Sequence, residues 1–335
     1  MQNLIIPENY KSLLSLKQTE QAIKKVKDFF ERDLSIQLNL TRVSAPLFVN
    51  KNSGINDTLN GVERPVSFDI RGIDGDFEIV HSLAKWKRHA LKHYGFSKGE
   101  GLYTDMNAIR RDEEVDNIHS NYVDQWDWEK VIDKSERTVE TLKSTVECIY
   151  NTLKHTERYI ASEYEFAEVY LPEDIFFITT QELEDMYPDK TVKEREYLIA
   201  KEKGAVFLMQ IGGALKSGKP HDGRAPDYDD WNLTGDIIVY YPGLDISLEL
   251  SSMGIRVDEE ALLSQLKIRG MEENAELPFQ KALLEGRLPY TIGGGIGQSR
   301  ICMYFLRKAH VGEVQASIWP EDMQSLCEKH GIQLL

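Results

Sequence analysis

The sequence predicts an α+β fold in which helices flank a mainly antiparallel sheet. Strands and helices follow one another without the regular strand–helix–strand order of a parallel sheet. Two strands, at 122–129 and 245–252, alternate apolar with polar side chains, as antiparallel strands do when one face is packed. Two segments, at 15–34 and 135–162, repeat apolar residues at the three-to-four spacing of amphipathic helices.

The first half of the chain is predicted to open with a helix at 15–34. Its apolar stripe includes Ala22 and Phe30, and Ser15 with Gln18 resembles a capping box at its start. A strand that ends at a proline follows at 41–46, and a loop at 50–64. Two strands at 66–70 and 77–82 then lead into a basic helix at 84–91.

The second half is predicted to contain longer elements. The polar-faced strand at 122–129 is followed by a long helix at 135–162 and by two apolar strands at 205–211 and 237–241. A second polar-faced strand at 245–252 comes next, and a glycine-rich turn enters a helix near Gly297. No repeat or linker divides the sequence, so we expect residues 1–335 to form a single domain.

The composition excludes several classes of protein. Fifty-five acidic and 40 basic residues give a net charge of −15, which disfavours broad attraction to nucleic acid or to anionic membranes. Cys148, Cys302 and Cys327 are odd in number and lack metal-ligand spacing, which argues against a disulfide framework and fits a reducing compartment. No stretch approaches the roughly 18 apolar residues of a membrane span. We therefore expect a soluble cytoplasmic protein.

The two polar-faced strands predict a charged site on one sheet. On the strand at 245–252, Ser247, Glu249 and Ser251 are predicted to share one face. Gln125, Asp127 and Glu129 share a face of the strand at 122–129. An alternative is that each polar face lies in water. Because two such strands occur in one chain, we favour a shared site for a charged ligand and its metal.

A glycine cluster at 291–297 is predicted to be a turn before a helix. Backbone can approach a ligand closely there, and a helix N-terminus favours anions; a plain turn is the alternative. Arg300 is unexpected inside the first turn of that helix, where positive charge is disfavoured. The negative charge of a bound nucleotide would offset this unfavourable position of Arg300.

A second phosphate motif competes with the first. Residues 213–219 have P-loop spacing after an apolar strand, but Pro220 takes the position of the magnesium-binding Ser or Thr, and no helix pattern follows. Further along this segment, Asp227, Asp229 and Asp230 are either metal ligands or solvated loop residues.

Two basic segments are candidates for phosphate or carboxylate binding. Residues 80–88 place three cations and a hydroxyl at a strand-to-helix junction, and a solvated helix face is the alternative. Arg110 begins a loop that runs through His119 into the polar-faced strand, so this unit could wrap phosphates. No local pattern suggests a nucleophilic triad or thiolate.

These units resemble, in order, the three signature regions of the class II aminoacyl-tRNA synthetase catalytic core. The helix ending near Pro46 is similar to the first, dimer-forming motif, residues 110–129 to the second and 293–300 to the third. Within that superfamily, the strings HSLAKWKR, YVDQWDWE, ELSSMGIR and IGGGIGQSR resemble the ammonia-dependent aspartate ligases, the asparagine synthetase A family, over essentially the whole chain.

The resemblance implies how the amino acid would bind. Lys87 and Arg256 would hold the side-chain carboxylate of L-aspartate, with Asp127 orienting them. The backbone end of the amino acid would be bound by Asp57, Ser82 and Gln125.

It also implies the ATP and metal sites. Arg110 would grip the α-phosphate, and Arg300 would cover the adenine or the far phosphates. Two further ATP-binding residues and two Mg²⁺ ligands complete the set: Ser252 and Gly294 for ATP, Asp236 and Glu249 for the metal.

The implied reaction is attack of the β-carboxylate on the α-phosphorus of ATP, followed by attack of ammonia on β-aspartyl-AMP. Arg110, Asp127, Asp229 and Arg300 are the candidate catalytic residues, and either Asp127 or Asp229 could be the base. The resemblance also implies a homodimer. Two alternatives are a tRNA-charging enzyme, which should carry an anticodon-binding domain, and a synthetase-like regulator without chemistry.

Overall fold

The computed structural model describes residues 4–57, 59 and 63–335. The predicted loop at 50–64 therefore lies partly outside the described residues. Within the described ranges, no helix combines the length and the apolar character needed to cross a bilayer. All three cysteines are free thiols.

Eleven strands are found in the described residues. They are, in chain order, β1 (Leu40–Arg42), β2 (Phe48–Asn50), β3 (Ser67–Ile70), β4 (Ile73–Ile79), β5 (Gly101–Ile109), β6 (Tyr122–Val131), β7 (Phe176–Thr179), β8 (Ala205–Met209), β9 (Asp229–Tyr241), β10 (Ile246–Arg256) and β11 (Thr291–Gly297).

Nine α-helices accompany them in the same part of the chain. They are α1 (Leu16–Leu38), α2 (Ala84–Tyr94), α3 (Val139–Glu163), α4 (Thr180–Met186), α5 (Val192–Lys203), α6 (Glu259–Arg269), α7 (Pro278–Leu284), α8 (Gln298–Phe305) and α9 (Glu321–Lys329).

The large sheet has the strand order β1-β5-β6-β11-β10-β9-β8-β7. Its five inner pairs are antiparallel, whereas β1 with β5 and β8 with β7 are parallel pairs at the two edges. Strands β2, β4 and β3 form a small antiparallel sheet. The predicted α+β class with a mainly antiparallel sheet is confirmed.

The alternation along β6 separates the core from the site. Trp126 and Trp128 are fully buried in the main apolar core, and Phe30 of α1 stacks on Trp126 with ring centroids 4.6 Å apart. Helices α1, α3 and α8 contribute to this core. The predicted capping box of Ser15 and Gln18 is present at the start of α1. The opposite, polar face of β6 is therefore free to form a site.

Two element boundaries differ from the prediction for local reasons. The strand expected at 41–46 pairs only over Leu40–Arg42, with one further bond from the Val43 amide to the Tyr103 carbonyl. The long helix begins at Val139 because the Thr138 side chain accepts a hydrogen bond from the Thr141 amide and caps it.

The glycine cluster at 291–297 is a central strand, so its prediction as a turn is wrong. It pairs with β6 on one side and β10 on the other. A Cβ atom at Gly293 would lie 2.0 Å from the Glu129 carboxylate, and one at Gly294 would lie 2.5 Å from the Met253 Cβ. Glycine is required because side chains of the neighbouring strands occupy the space on both faces of β11.

The P-loop alternative is wrong. Residues 213–219 lie in a short hairpin, closed by a bridge between Ala214 and Pro220 and by a hydrogen bond from the Leu215 amide to the Lys219 carbonyl. Lys219 is exposed, and no helix follows. A phosphate would therefore find no helix N-terminus at this loop.

Candidate active site

A cavity of about 420 Å³ opens on the polar face of the sheet. Strands β6, β10 and β11 contribute to its walls, together with the start of α2 and of α8 and the loops after β5 and before β9. The cavity is lined by every predicted site residue except Asp236, namely Asp57, Ser82, Lys87, Arg110, Gln125, Asp127, Asp229, Glu249, Ser252, Gly294, Arg256 and Arg300.

One end of the cavity is formed by a network of buried charges, which we call the paired cluster: Lys87, Asp127, Glu129, Asp229 and Arg256. Lys87 contacts the Asp127 carboxylate and lies 3.5 Å from that of Glu129. Its ammonium group also donates to the carbonyl oxygens of Trp128 and Gly294 at 2.9 and 3.1 Å. The ammonium is thus fixed by four partners.

Arg256 completes the paired cluster from β10. It binds Glu129 through its Nε and Nη2 atoms, with Nη2 at 2.8 Å from the carboxylate, and its Nη1 atom binds Asp229. Burial acts to raise the pKa of Glu129, but Arg256 and Lys87 hold that pKa below its usual range. Burial raises the pKa of Asp229 although Arg256 opposes it. Glu129 is therefore a charged hub between the two cations.

A smaller buried group borders this end. Lys85 forms an ion pair with Asp227 at 3.0 Å, and Gln280 donates to the same carboxylate at 2.6 Å. Asp57 accepts a hydrogen bond from the Leu59 amide at 2.9 Å, while its second carboxylate oxygen lacks a partner among the described residues. Burial raises the pKa of Asp57, and Lys85 partly offsets this. An unpartnered oxygen facing a cavity is available to a polar ligand.

The solvated alternatives for the basic helix and the aspartate run are wrong. Lys85, Lys87 and Arg88 of α2 are only 5, 1 and 1% exposed. Asp227, Asp229 and Asp230 are also buried, each against a different cation, Lys85, Arg256 and Arg137 respectively. The metal-ligand alternative for the three aspartates fails for the same reason, since their carboxylates are directed to separate partners.

The other end of the cavity, which we call the open end, contains Arg110, Glu249 and Arg300. Arg300 donates from Nη1 to the Glu249 carbonyl at 2.9 Å and from Nε to the Ile118 carbonyl at 3.4 Å, whereas the two charged groups remain 3.9 Å apart. The buried Nε of Arg110 has no hydrogen-bond partner in the described part of the chain. These cations are available to an anionic ligand.

His119 belongs to the same loop as Ile118 and also lines the cavity. Its Nδ1 atom lies 2.9 Å from the Asp116 carboxylate, which also accepts hydrogen bonds from the Ile118 and His119 amides at 2.8 Å each. Asp116 thereby fixes the tip of the loop between β5 and β6 against the open end.

Asp236 and Glu249 lie on one face of neighbouring strands. A bulge in β10 shifts the register, so that Ser252, not Ser251, lies next to Glu249 on this face and opposite Asp236. Burial raises the pKa of Asp236 to about 7, partly offset by Arg224 and reinforced by the charge of Glu249. A carboxylate whose ionisation is disfavoured by a second carboxylate beside it suits a divalent cation, and Mg²⁺ commonly uses one or two carboxylates with phosphate oxygens and water.

Among the described residues, no group of three or more His, Cys, Asp or Glu side chains could hold a metal ion by itself. The alternation along β6 placed Glu129 on the site face with Gln125 and Asp127, but no individual role was predicted for it. One residue that contacts the site was missed altogether. Arg224, which binds Asp236, lies in an irregular loop and had no signal in the sequence.

Comparisons with known proteins identify the family of this chain. A sequence model described as aspartate–ammonia ligase matches residues 17–331. A relative named aspartate–ammonia ligase from Clostridium perfringens (strain SM101) is 68% identical over 336 residues, and the match covers all of both chains. A relative of the same name from Ruminiclostridium cellulolyticum is 66% identical, again over the full length of both.

Solved structures share the fold at low identity. Asparaginyl-tRNA synthetase from Pyrococcus horikoshii, complexed with asparaginyl-adenylate, superimposes with a TM-score of 0.64 and 15% identity over 90% of this chain and 70% of that one. The Entamoeba histolytica asparaginyl-tRNA synthetase gives 0.63 and 14% over 90% and 66%. This likeness shows the fold of the class II synthetase catalytic core, and the sequence matches show that the chain belongs to the aspartate–ammonia ligase family.

Proposed function

We propose that this enzyme makes L-asparagine from L-aspartate, ammonia and ATP through β-aspartyl-AMP, releasing AMP and pyrophosphate. The observation that carries the proposal is the pairing of two different ends in one cavity. The paired cluster offers cations fixed for a carboxylate, and the open end offers Arg110, whose Nε has no partner among the described residues, and Arg300, which is only loosely paired with Glu249. A carboxylate and an α-phosphorus could thus be bound side by side.

At the paired cluster, Lys87 and Arg256 would bind the β-carboxylate of aspartate, and Asp127 would orient Lys87. Their buried partners keep both cations in place before the substrate enters, so little reorganisation is needed when it binds. The remaining polar groups of the amino acid would be bound by Asp57, Ser82 and Gln125.

At the open end, Arg110 would neutralise charge on the α-phosphate while the β-carboxylate oxygen attacks the phosphorus and pyrophosphate leaves. Arg300 would hold the adenine or the far phosphates, and Ser252 and Gly294 would contact ATP from β10 and β11. Asp236 and Glu249 would hold Mg²⁺, which when bound supplies positive charge to the polyphosphate.

In the second step ammonia attacks the carbonyl carbon of β-aspartyl-AMP, and AMP leaves with the bridging oxygen. The nitrogen must lose a proton, and Asp127 and Asp229 are the two candidates to take it. We favour Asp229, because burial raises its pKa and so makes it a better proton acceptor than an ordinary carboxylate.

Product analysis tests the proposal. Purified enzyme supplied with ATP, Mg²⁺, aspartate and ammonium should form AMP, pyrophosphate and asparagine in equal amounts, without any need for tRNA. Formation of ADP, or AMP formation that depends on tRNA, would contradict it. Ammonium should be the effective nitrogen donor, so asparagine formed as efficiently from glutamine would contradict that part.

We also propose that the enzyme acts in the cytoplasm as a homodimer that binds neither nucleic acid nor membranes, and that the chain is one catalytic domain. The apolar stripe of α1 packs inside the chain and does not itself support a dimer. Support comes instead from two exposed apolar residues at opposite ends of α1, Leu16 and Ile36, which are 46 and 71% exposed, and from β1, which is an edge strand of the large sheet. Sedimentation at micromolar protein should show a dimer, and a monomer alone would contradict this.

A further inference from the structure

We propose that Asp124 is a positioning residue that sets the Arg300 guanidinium for the nucleotide by capping helix α8 and connecting it to helix α1. This inference rests on the proposed binding of ATP at the open end. Asp124 precedes Gln125 on β6, lines the cavity and is 6% exposed. None of the roles proposed above uses it.

Both carboxylate oxygens of Asp124 have defined partners. Oδ1 accepts hydrogen bonds from the Ser299 amide at 3.1 Å and from Gln315 Nε2 at 3.2 Å. Oδ2 accepts from Lys27 Nζ at 3.0 Å. Gln315 Nε2 also lies 3.0 Å from the Ser299 hydroxyl. The carboxylate is thus the point where α1, β6, α8 and the segment before α9 meet.

The Asp124 carboxylate offsets the unfavourable position of the positive Arg300 side chain near a helix N-terminus. Ser299 and Arg300 are the second and third residues of α8, where unpaired amide groups disfavour a positive side chain. The sequence suggested that a bound nucleotide relieves this, but Asp124 already places a negative charge at the helix N-terminus. The Arg300 guanidinium can therefore point into the cavity without a ligand at the helix end itself.

Lys27 of α1 holds the Asp124 carboxylate in its capping position. It lies on α1, and burial acts to lower its pKa, but Asp124 raises it to a net value above the usual range. The ammonium therefore stays charged beside the carboxylate. Because α1 and α8 belong to the same apolar core, this pair fixes the start of α8 relative to the sheet and with it the side chain of Arg300.

Asp124→Asn tests the proposal, because the amide keeps the shape and one acceptor but removes the charge. We expect the KM for ATP to rise about tenfold, equivalent to about 1.4 kcal/mol, while the KM for aspartate changes less than twofold. Asp33→Asn is the matched control, since it removes the charge of another α1 contact, to His155 at 3.0 Å outside the cavity. In Asp33→Asn the KM values for ATP and for aspartate should both be unchanged.

If Asp124→Asn does not fold, Gln315→Met provides a second test, because it removes one hydrogen-bond donor to the Asp124 carboxylate while its charge remains. We expect a two- to threefold rise in the KM for ATP alone. An unchanged KM for ATP, or equal rises for both substrates, in a folded variant would overturn the positioning role. Wild-type enzyme in the same assay separates the two proposals: if it fails to form AMP, the proposed function itself is wrong.

Discussion

The two ends of the cavity contain the same types of charged side chain in opposite states. In the paired cluster every member contacts another member, and exposure is at most 3%, across Lys87, Asp127, Glu129, Asp229 and Arg256. At the open end the side chains of Glu249 and Arg300 are 43 and 21% exposed and 3.9 Å apart. One end is complete before a ligand binds, and the other is not.

This difference predicts which substitutions affect the stability of the fold and which affect only the activity. A buried charge that loses its partner remains desolvated and destabilises the fold, whereas a loosely paired, solvent-exposed charge contributes little to stability. Substitutions in the paired cluster should therefore lower both the free energy of unfolding and the activity. Substitutions at the open end should lower activity alone.

Glu129→Gln should have the largest effect. The change leaves Arg256 and Lys87 without their shared carboxylate, and breaking a buried pair costs about 3–5 kcal/mol. Urea unfolding should show this loss together with the loss of asparagine synthesis. A decrease below about 1 kcal/mol would show that the cluster is not the fixed network described here.

The difference in unfolding free energy between wild type and Glu129→Gln should also depend on pH. The pKa of Glu129 is depressed in the folded state, so its stabilisation is fully present above the ordinary glutamate value of 4.5 and is lost as the pH falls through the folded pKa. The unfolding free energies of wild type and Glu129→Gln should therefore approach each other as the pH falls below 4.5. A gap that stays constant from pH 7 to pH 3 would exclude this charge as its source.

Glu249→Gln should keep the fold and lose most of the activity. It preserves the volume of the side chain while removing a charge proposed to hold Mg²⁺, and the loss of such an electrostatic contact costs about 10² to 10³ in rate. The unfolding free energy should change by less than about 1 kcal/mol. Near-normal turnover at limiting Mg²⁺ would remove Glu249 from the metal site.

Arg110→Ala should lower turnover by about 10² or more with little change in stability, since it removes the cation proposed for the α-phosphate. Lys219→Ala is the matched control, because Lys219 is an exposed cation in the hairpin outside the cavity. Its activity should stay near that of the wild type. Loss of activity in Lys219→Ala with a tolerated Arg110→Ala would reverse the assignment.

Alternation along the strands was the strongest signal in the sequence. It placed Trp126 and Trp128 in the core and Asp127 on the site face, because side chains of a strand alternate whatever its neighbours are. The same rule failed at β10 beyond Glu249, where the bulge moves Ser252 to the site face. A bulge depends on the partner strand, which local sequence does not specify.

Features that depend on distant partners could not be predicted from the sequence. The glycines at 293 and 294 resemble a turn in the sequence, but in the structure Glu129 occupies the space beside Gly293 on one face and Met253 the space beside Gly294 on the other. The aspartates at 227, 229 and 230 resemble a solvated run until each is matched with its own buried cation. In both cases the identity of the residue is set by side chains far away in the sequence.

The central claim is that the β-carboxylate of aspartate attacks the α-phosphorus of ATP in this cavity. Aspartate labelled with ¹⁸O in the β-carboxylate tests it directly, because ammonia displaces AMP together with the bridging oxygen. Mass spectrometry should find one ¹⁸O atom in each AMP and none in pyrophosphate. Unlabelled AMP, or label in inorganic phosphate with ADP as the nucleotide product, would contradict the claim.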